Sequence, residues 1–451
     1  MMRRTIVLYA GLVLLFVVVE LALGAAFTTR LCVEAMAYAL IALGLNVQWG
    51  YGGLFNFGVM GFLMIGGMAV TSVSAPLNIK FWNSDGPVLL LEALGAAAVG
   101  ALIIIAAHRA GRIGIKGRWR TALKVVAWAL AYVIYRSRID PAATYIESHA
   151  GWMGGLGLPV LLGWAVGGLV SAAVAYVIGK ICLGLRTDYL AIATIGIAEI
   201  IRALVKNMDW LTRGTLTVSP IPWPVPTPQF YQDAAGVGAT TSFVYARLGY
   251  FAVAAVVVLV VLVMIEIAYR GPWGRMMRAI RDNHIAAESM GKDVKARQIE
   301  IFVFGSVLMG IGGAMLTSFA QIFDPAGYQP INHTFIVWVM VIVGGAGNNL
   351  GVLFGGMFIY TVWVLSEPLS QALFRAMSHW SLQFGWGAIP DIESRSLQMR
   401  VFVLGLVITL ALRYAPKGLI PEVMRKHGPS RRGGSVMKGP TPEAGAAAPP
   451  K

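Results

Sequence analysis

The chain is poor in charge. Asp, Glu, Lys and Arg make up 13% of its 451 residues, where soluble globular proteins hold about 25%. Hydrophobic residues reach 57%. A soluble domain of this length cannot bury so much apolar surface, so the composition excludes one and points to a membrane-embedded protein. Cysteine is scarce. Cys32 and Cys182 both sit in apolar runs, which excludes a disulfide framework and fits no metal-ligand spacing. The six histidines are scattered. No G-x-x-x-x-G-K-[ST] occurs, and the stretches at Gly114–Gly117 and Gly291-Lys292 do not fit it. The chain therefore carries no phosphate-cradling loop with which to hydrolyse ATP. H-E-x-x-H and G-x-S-x-G are absent too, and no His, Asp or Ser cluster at membrane depth offers catalysis.

What is present is a formal charge of +15, unevenly spread. Arg109, Arg112, Lys116, Arg118, Arg120 and Lys124 form one cluster without an acid. Residues 270–297 form a second, and the tail after Arg413 a third. Basic loops between apolar runs mark the cytoplasmic side of a membrane protein rather than nucleic-acid affinity. The apolar runs are Ile6–Phe27, Leu31–Trp49, Gly58–Leu77, Val88–His108, Ala122–Ile139, Pro159–Leu183, Leu190–Lys206, Leu248–Tyr269, Ile299–Ile322, Thr334–Gly345, Val352–Glu367 and Val401–Tyr414. Counted from a cytoplasmic N-terminus, they place all three basic clusters inside and residues 81–87, 207–247 and 369–398 outside. The expected fold is all-α and polytopic, with about 10–12 transmembrane or re-entrant helices. Residues 1–422 make one membrane domain, and 423–451, rich in Pro, Gly, Ala and basic residues, a disordered cytoplasmic tail.

Two places read as interrupted helices. Residues 50–58 and 344–351 each pack glycine and asparagine between apolar runs. Broken helices at membrane depth are tolerated when buried in protein or lining a watery cavity, and paired breaks in two halves of a chain point to a transport pathway. Gly52, Gly53 and Asn56, with Gly344, Gly345, Asn348 and Asn349, are the candidates to line it. Tight turns or close helix packing also fit these residues. Asn46 and Gln48 suit hydrogen bonds between helices, Trp49 and Tyr51 suit anchors at the interface, and Gly310, Gly312 and Gly313 suit a packing face.

The segment GRMMRAIRDNHIAAESMG, residues 274–291, is short, basic and helix-prone, and sits between two long apolar spans. As one helix it puts Met277, Ile280, His284 and Ala287 on one face, with Arg275, Arg278 and Asp282 opposite. That pattern suits a surface helix offering a face to a soluble partner, or resting on lipid headgroups. Few ionisable residues fall within spans. Glu199 and Arg202 stand three apart and form an expected intramembrane ion pair. Asp188 is placed to cap the helix that carries them. Glu20 and Glu34 lie near the outer ends of their spans.

Five segments carry a resemblance: ALGLNVQWGYGGLFNFGVMGF, LRTDYLAIATIGIAEIIRALVKN, GRMMRAIRDNHIAAESMG, MVIVGGAGNNLGVLFGG and RYAPKGLIPE, in that order. Together they resemble the permease subunits of high-affinity branched-chain amino-acid ABC importers, the M-type permease above all. The resemblance implies a pore-forming subunit of a bacterial inner-membrane importer that works by alternating access. Its implied partners are a second homologous permease, two cytoplasmic ATPases that use the ATP, and a periplasmic solute-binding protein. It implies no cofactor on this chain. It also implies that residues 270–298 form the loop that docks on an ATPase, with Arg278, Asp282, Ala286, Ala287, Glu288 and Gly291 as coupling residues. Val59 stands where the family commonly has histidine, and 212–217 read TRGTLT where it commonly has TGGPNG. Residues 109–158 look like an inserted hairpin and loop. Amides and urea are alternative solutes of related systems, and an ATP-independent carrier is the alternative mechanism.

Overall fold

A computed structural model describes residues 2–109, 118–384, 387 and 389–422. Its helices are α1 (Met2–Leu23), α2 (Ala25–Leu45), α3 (Val59–Ser74), α4 (Ile79–Trp82), α5 (Gly86–Arg109), α6 (Arg118–His149), α7 (Val160–Cys182), α8 (Thr187–Lys206) and α9 (Asp209–Thr212). They continue as α10 (Pro228–Ala235), α11 (Ala239–Arg270), α12 (Pro272–Asp282), α13 (His284–Ser289), α14 (Val294–Ala320), α15 (Ile336–Gly344), α16 (Asn349–Gln383) and α17 (Ile392–Tyr414). Among the described residues there is no strand, only two isolated bridges. Among the described residues, eight helices are long and apolar enough to cross a membrane, and Val59–Ser74 and Ile331–Gly344 are shorter apolar ones. The fold is thus all-α and polytopic. Helices are the expected solution, because lipid offers no partner for backbone amides and carbonyls.

The centre of the bundle is α14 packed on α7, α3 and α2, with α2 also against α16 and α11. Glycines set these distances. A Cβ on Gly66 of α3 would overlap the Gly310 carbonyl of α14, and one on Gly313 the Leu63 carbonyl. Helices this close gain dispersion contacts that lipid tails cannot match. The core α2 is buried along most of its length, while α1 and α17 leave most of their apolar surface outward, as lipid-facing helices do.

Several elements differ from their sequence reading. The expected loop after Glu367 is instead helix, since α16 runs on through Pro368 to Gln383. Proline removes one helical hydrogen bond but need not end a helix whose neighbours hold it. The helix α6 continues through Pro141 to His149, ten residues beyond the apolar run. Asp188 does not cap α8. Arg186 takes that position, without a side-chain cap, and Asp188 lies in the first turn, where its charge still favours the helix dipole. Residues 423–451, expected to form a tail, lie outside the described residues, as do 110–117 of the expected insertion.

Candidate functional site

The surface segment 274–291 is two helices rather than one. Asn283, at φ −158°, breaks it, and its side chain accepts a 3.0 Å hydrogen bond from the Ala286 amide to cap α13. Met277, Ile280 and Ala287 are buried as one face requires, but the break turns His284 outward. Arg278 lies over the Tyr269 ring, 4.6 Å from its centroid. Asp282, Ala286 and Glu288 are exposed, together with Ile285 and Met290. Gly291, at φ 76°, closes the second helix with open space around its Cα.

Arg281 connects α12 to the bundle. Its guanidinium donates to the Gly50 carbonyl at 2.5 Å and to the Glu422 carboxylate at 3.1 Å. Burial works against its charge, but Glu422, helped by Asp282, holds its pKa above the usual arginine value. Glu422 also accepts from the Tyr269 hydroxyl, and Tyr269 stacks on Tyr51 at 4.0 Å. Here α2 widens into a π-helical turn, Asn46–Tyr51, at the first glycine break. Such turns commonly occur at functional sites.

The second break meets the first at this point. The Gly347 amide donates to Asn46 Oδ1 at 2.8 Å. Asn349 Oδ1 accepts from Asn46 at 3.2 Å and from the Tyr51 hydroxyl, and Asn349 Nδ2 donates to Glu266 at 2.9 Å. Asn348 caps α16 through the Leu350 and Gly351 amides and donates to the Pro421 carbonyl at 3.2 Å. Gly344 and Gly345 lie under residues 417–420, with the Gly344 carbonyl receiving the Ile420 amide at 3.0 Å. Gly53 adopts φ 66° against Arg281, a conformation that favours glycine. Asn56 lies deeper. It donates to Gln48 at 2.8 Å and its carbonyl receives Trp338 Nε1 at 3.1 Å. Gly52 packs on the Gln48 carbonyl and Ile301. At the start of α3, the amides of Phe57, Gly58 and Met60 are held by Thr194, Asn56 and Thr334.

The structure therefore joins both glycine breaks, α12 and the segment 417–422 in one partly buried polar junction. Glu199 and Arg202 stand apart on α8, with Arg202 Nη1 3.2 Å from Glu199 Oε2. Sequence reasoning missed Glu266, Tyr269, Arg281 and Glu422, and it placed Tyr51 and Trp49 as interfacial anchors. Tyr51 is instead fully buried, and Trp49 packs against Trp338 at 4.8 Å. An available signal was the grouping of opposite charges at span ends: Glu266 and Glu422 close to membrane-flanking turns, with Arg281 between them in sequence.

Residues 27–115 and 113–412 match the family described as the permease component of branched-chain amino acid transport systems. The chain belongs to this family. Among its relatives is a probable branched-chain amino acid transport permease protein LivM of Methanocaldococcus jannaschii, 23% identical over 85% of this chain and 90% of that protein. The LivM permease of the high-affinity branched-chain amino acid system of Escherichia coli is 26% identical over 57% of this chain and 56% of its own length. The fructose import permease protein FrcC of Rhizobium meliloti is 25% identical over 45% of this chain and 54% of its own. No solved structure matches the chain significantly. The junction thus lies in a transport permease.

Proposed function

We propose that this chain is a membrane-spanning subunit of an ABC importer for amino acids, branched-chain ones foremost. It alternates between outward- and inward-open states, with ATP hydrolysed in partner subunits. The observation that carries this reading is Arg281, which ties the surface helix α12 to the first glycine break and to Glu422 at once. A push on α12 and α13 reaches the pathway through that contact. Exposed Ile285 and Met290 beside Glu288 and Asp282 supply an apolar knob with a charged rim, suited to a cleft on a soluble ATPase. Arg278, Asp282, Ala286, Ala287, Glu288 and Gly291 belong to this docking unit. Gly52, Gly53, Asn56, Gly344, Gly345, Asn348 and Asn349 border the pathway where the two breaks meet.

The partners in this reading are a second homologous permease, two ATPases and an extracytoplasmic solute-binding protein. The end bearing α12 and both termini then face the cytoplasm of a bacterial inner membrane, which agrees with the basic residues of 270–297. A carrier independent of ATP needs an unpaired buried acid for its coupling ion, and Glu199 already has Arg202.

The test is Arg281→Gln in the reconstituted complex. Assembly should persist, while the ATP hydrolysis stimulated by loaded binding protein loses its link to uptake. Full coupling in that variant would sink the relay. Gradient-driven uptake by the purified chain alone, with no ATPase present, would overturn the whole reading.

A further inference from the structure

A second polar site lies at the end of the bundle remote from α12. It is a cavity of about 360 Å³ between α2, α16 and α17, a volume in the range of small-molecule sites. Arg30, Glu34, Tyr360, Glu367, Gln371 and Arg400 supply its polar wall. Arg30 Nε lies 3.0 Å from Glu34, which also accepts from the Tyr360 hydroxyl at 2.7 Å. Arg400 meets Glu367, and its guanidinium carbon lies 6.0 Å from the Trp363 ring centre. Both pairs stand within apolar helices. Glu34 is nine residues into α2, about 14 Å along it. Ionised groups within spanning helices are rare and commonly mark a pathway.

Three features separate this place from a simple pair of structural ion bridges. The Arg400 Nε is buried with no hydrogen-bond partner among the described residues, so Glu367 does not satisfy the whole guanidinium. Pro368, which lines the cavity, has no amide to give the Val364 carbonyl one turn earlier, and Val364 lines it too. Leu31 and Trp363 add an apolar flank. Two cations, two carboxylates and an apolar wall around one small space are the complement of a molecule carrying an anion, a cation and an apolar side chain.

We propose that this cavity recognises a small zwitterion, with its anionic group toward Arg400 and Arg30 and its ammonium toward Glu34 and Glu367. This rests on the reading of the chain as an amino-acid importer subunit and gives that subunit a solute site of its own. A free α-amino acid and a phosphatidylethanolamine headgroup share this chemistry, and the free amino acid is the occupant we assign because Leu31 and Trp363 offer a wall for its side chain.

The experiment uses the purified complex in phosphatidylglycerol nanodiscs without binding protein, with L-leucine, leucinamide and 4-methylpentanoate as probes. Leucine should raise the thermal midpoint. Leucinamide lacks the anion and 4-methylpentanoate the ammonium, so neither should. Arg400→Gln and Glu367→Gln should each abolish the shift and reduce uptake at least tenfold at equal membrane abundance. The exchange Glu367→Arg with Arg400→Glu rebuilds a structural pair but reverses the charges that face the solute, so uptake should stay low. Recovery of uptake in the exchanged pair would reduce the site to a structural bridge. Stabilisation by added phosphatidylethanolamine and not by leucine would make it a lipid site and overturn the solute assignment. A complex that holds no ATPase would instead defeat the importer reading on which the site rests.

Discussion

Arg281 and Glu422 show what a single residue pair can hold. Their side chains are 19% and 16% exposed, so neither partner is well hydrated. Glu422→Gln leaves the guanidinium with only the Gly50 carbonyl and Asp282. Removing one partner of a fully buried pair costs about 3–5 kcal/mol, and partial hydration here brings the expected loss to about 2–3 kcal/mol. Thermal unfolding in detergent should show it, and the double variant Arg281→Gln with Glu422→Gln should be less destabilised than the two single losses added. Additive losses would mean that the pair carries no coupling energy. Asn46 is the second such residue. It satisfies the Gly347 amide and Asn349 together, and Asn46→Leu strands a buried donor at about 1–3 kcal/mol. The same assay should find Asn46→Leu clearly below wild type, and an unchanged midpoint would remove Asn46 from the junction. Asn46 was legible in the sequence as a polar residue deep in an apolar run. The junction's charged members were not, because Glu266, Arg281 and Glu422 come from three distant segments and only the fold brings them together.

At the scale of elements, the helices were legible because the membrane demands a long apolar run for each. Their ends were less so. The reading stopped α16 near Glu367, where charge and proline suggested a loop, yet Glu367 is answered by Arg400 and the helix continues. The surface segment read as one helix because its apolar spacing fits one; Asn283 breaks it through a cap that spacing alone does not register. Packing between elements rests on glycine, and two glycines should separate cleanly. Gly66→Ala places a methyl onto the backbone of α14, which cannot yield without parting the helices, and the variant should aggregate in size-exclusion chromatography. Gly196, inside α8, has open space around it. Gly196→Ala should be neutral or stabilising by up to about 1 kcal/mol through helix propensity. A well-behaved Gly66→Ala would deny that α3 and α14 need this contact.

The whole molecule divides into a core and an appended hairpin. The helices α5 and α6 pack chiefly on each other, and their main contacts with the rest run through α4 and α9. Each buries a narrow stripe. In α5 it is Gly86, Ala93, Gly100 and Ala107, and in α6 it includes Ala127, Ala131 and Ile139. Gly100 lies against Ala131, and Glu92 meets Arg138 at 3.0 Å. The chain enters and leaves this hairpin at one place, since the Asn78 side chain donates to the Ala150 carbonyl at 3.0 Å and to that of Trp152 at 2.7 Å. Two antiparallel helices can therefore be removed without reversing any later span. A chain in which a short Gly-Ser linker replaces residues 84–148 should insert, elute as a single species and retain its co-purifying subunits. Its thermal midpoint should fall by no more than about 5 °C, the shift that roughly 2 kcal/mol produces in a domain of moderate size. Loss of the contacts that α4 and α9 make with the hairpin accounts for that fall. If the shortened chain aggregates, the hairpin belongs to the core after all. If it folds but sheds one partner, the exposed faces of α5 and α6 are where that partner binds.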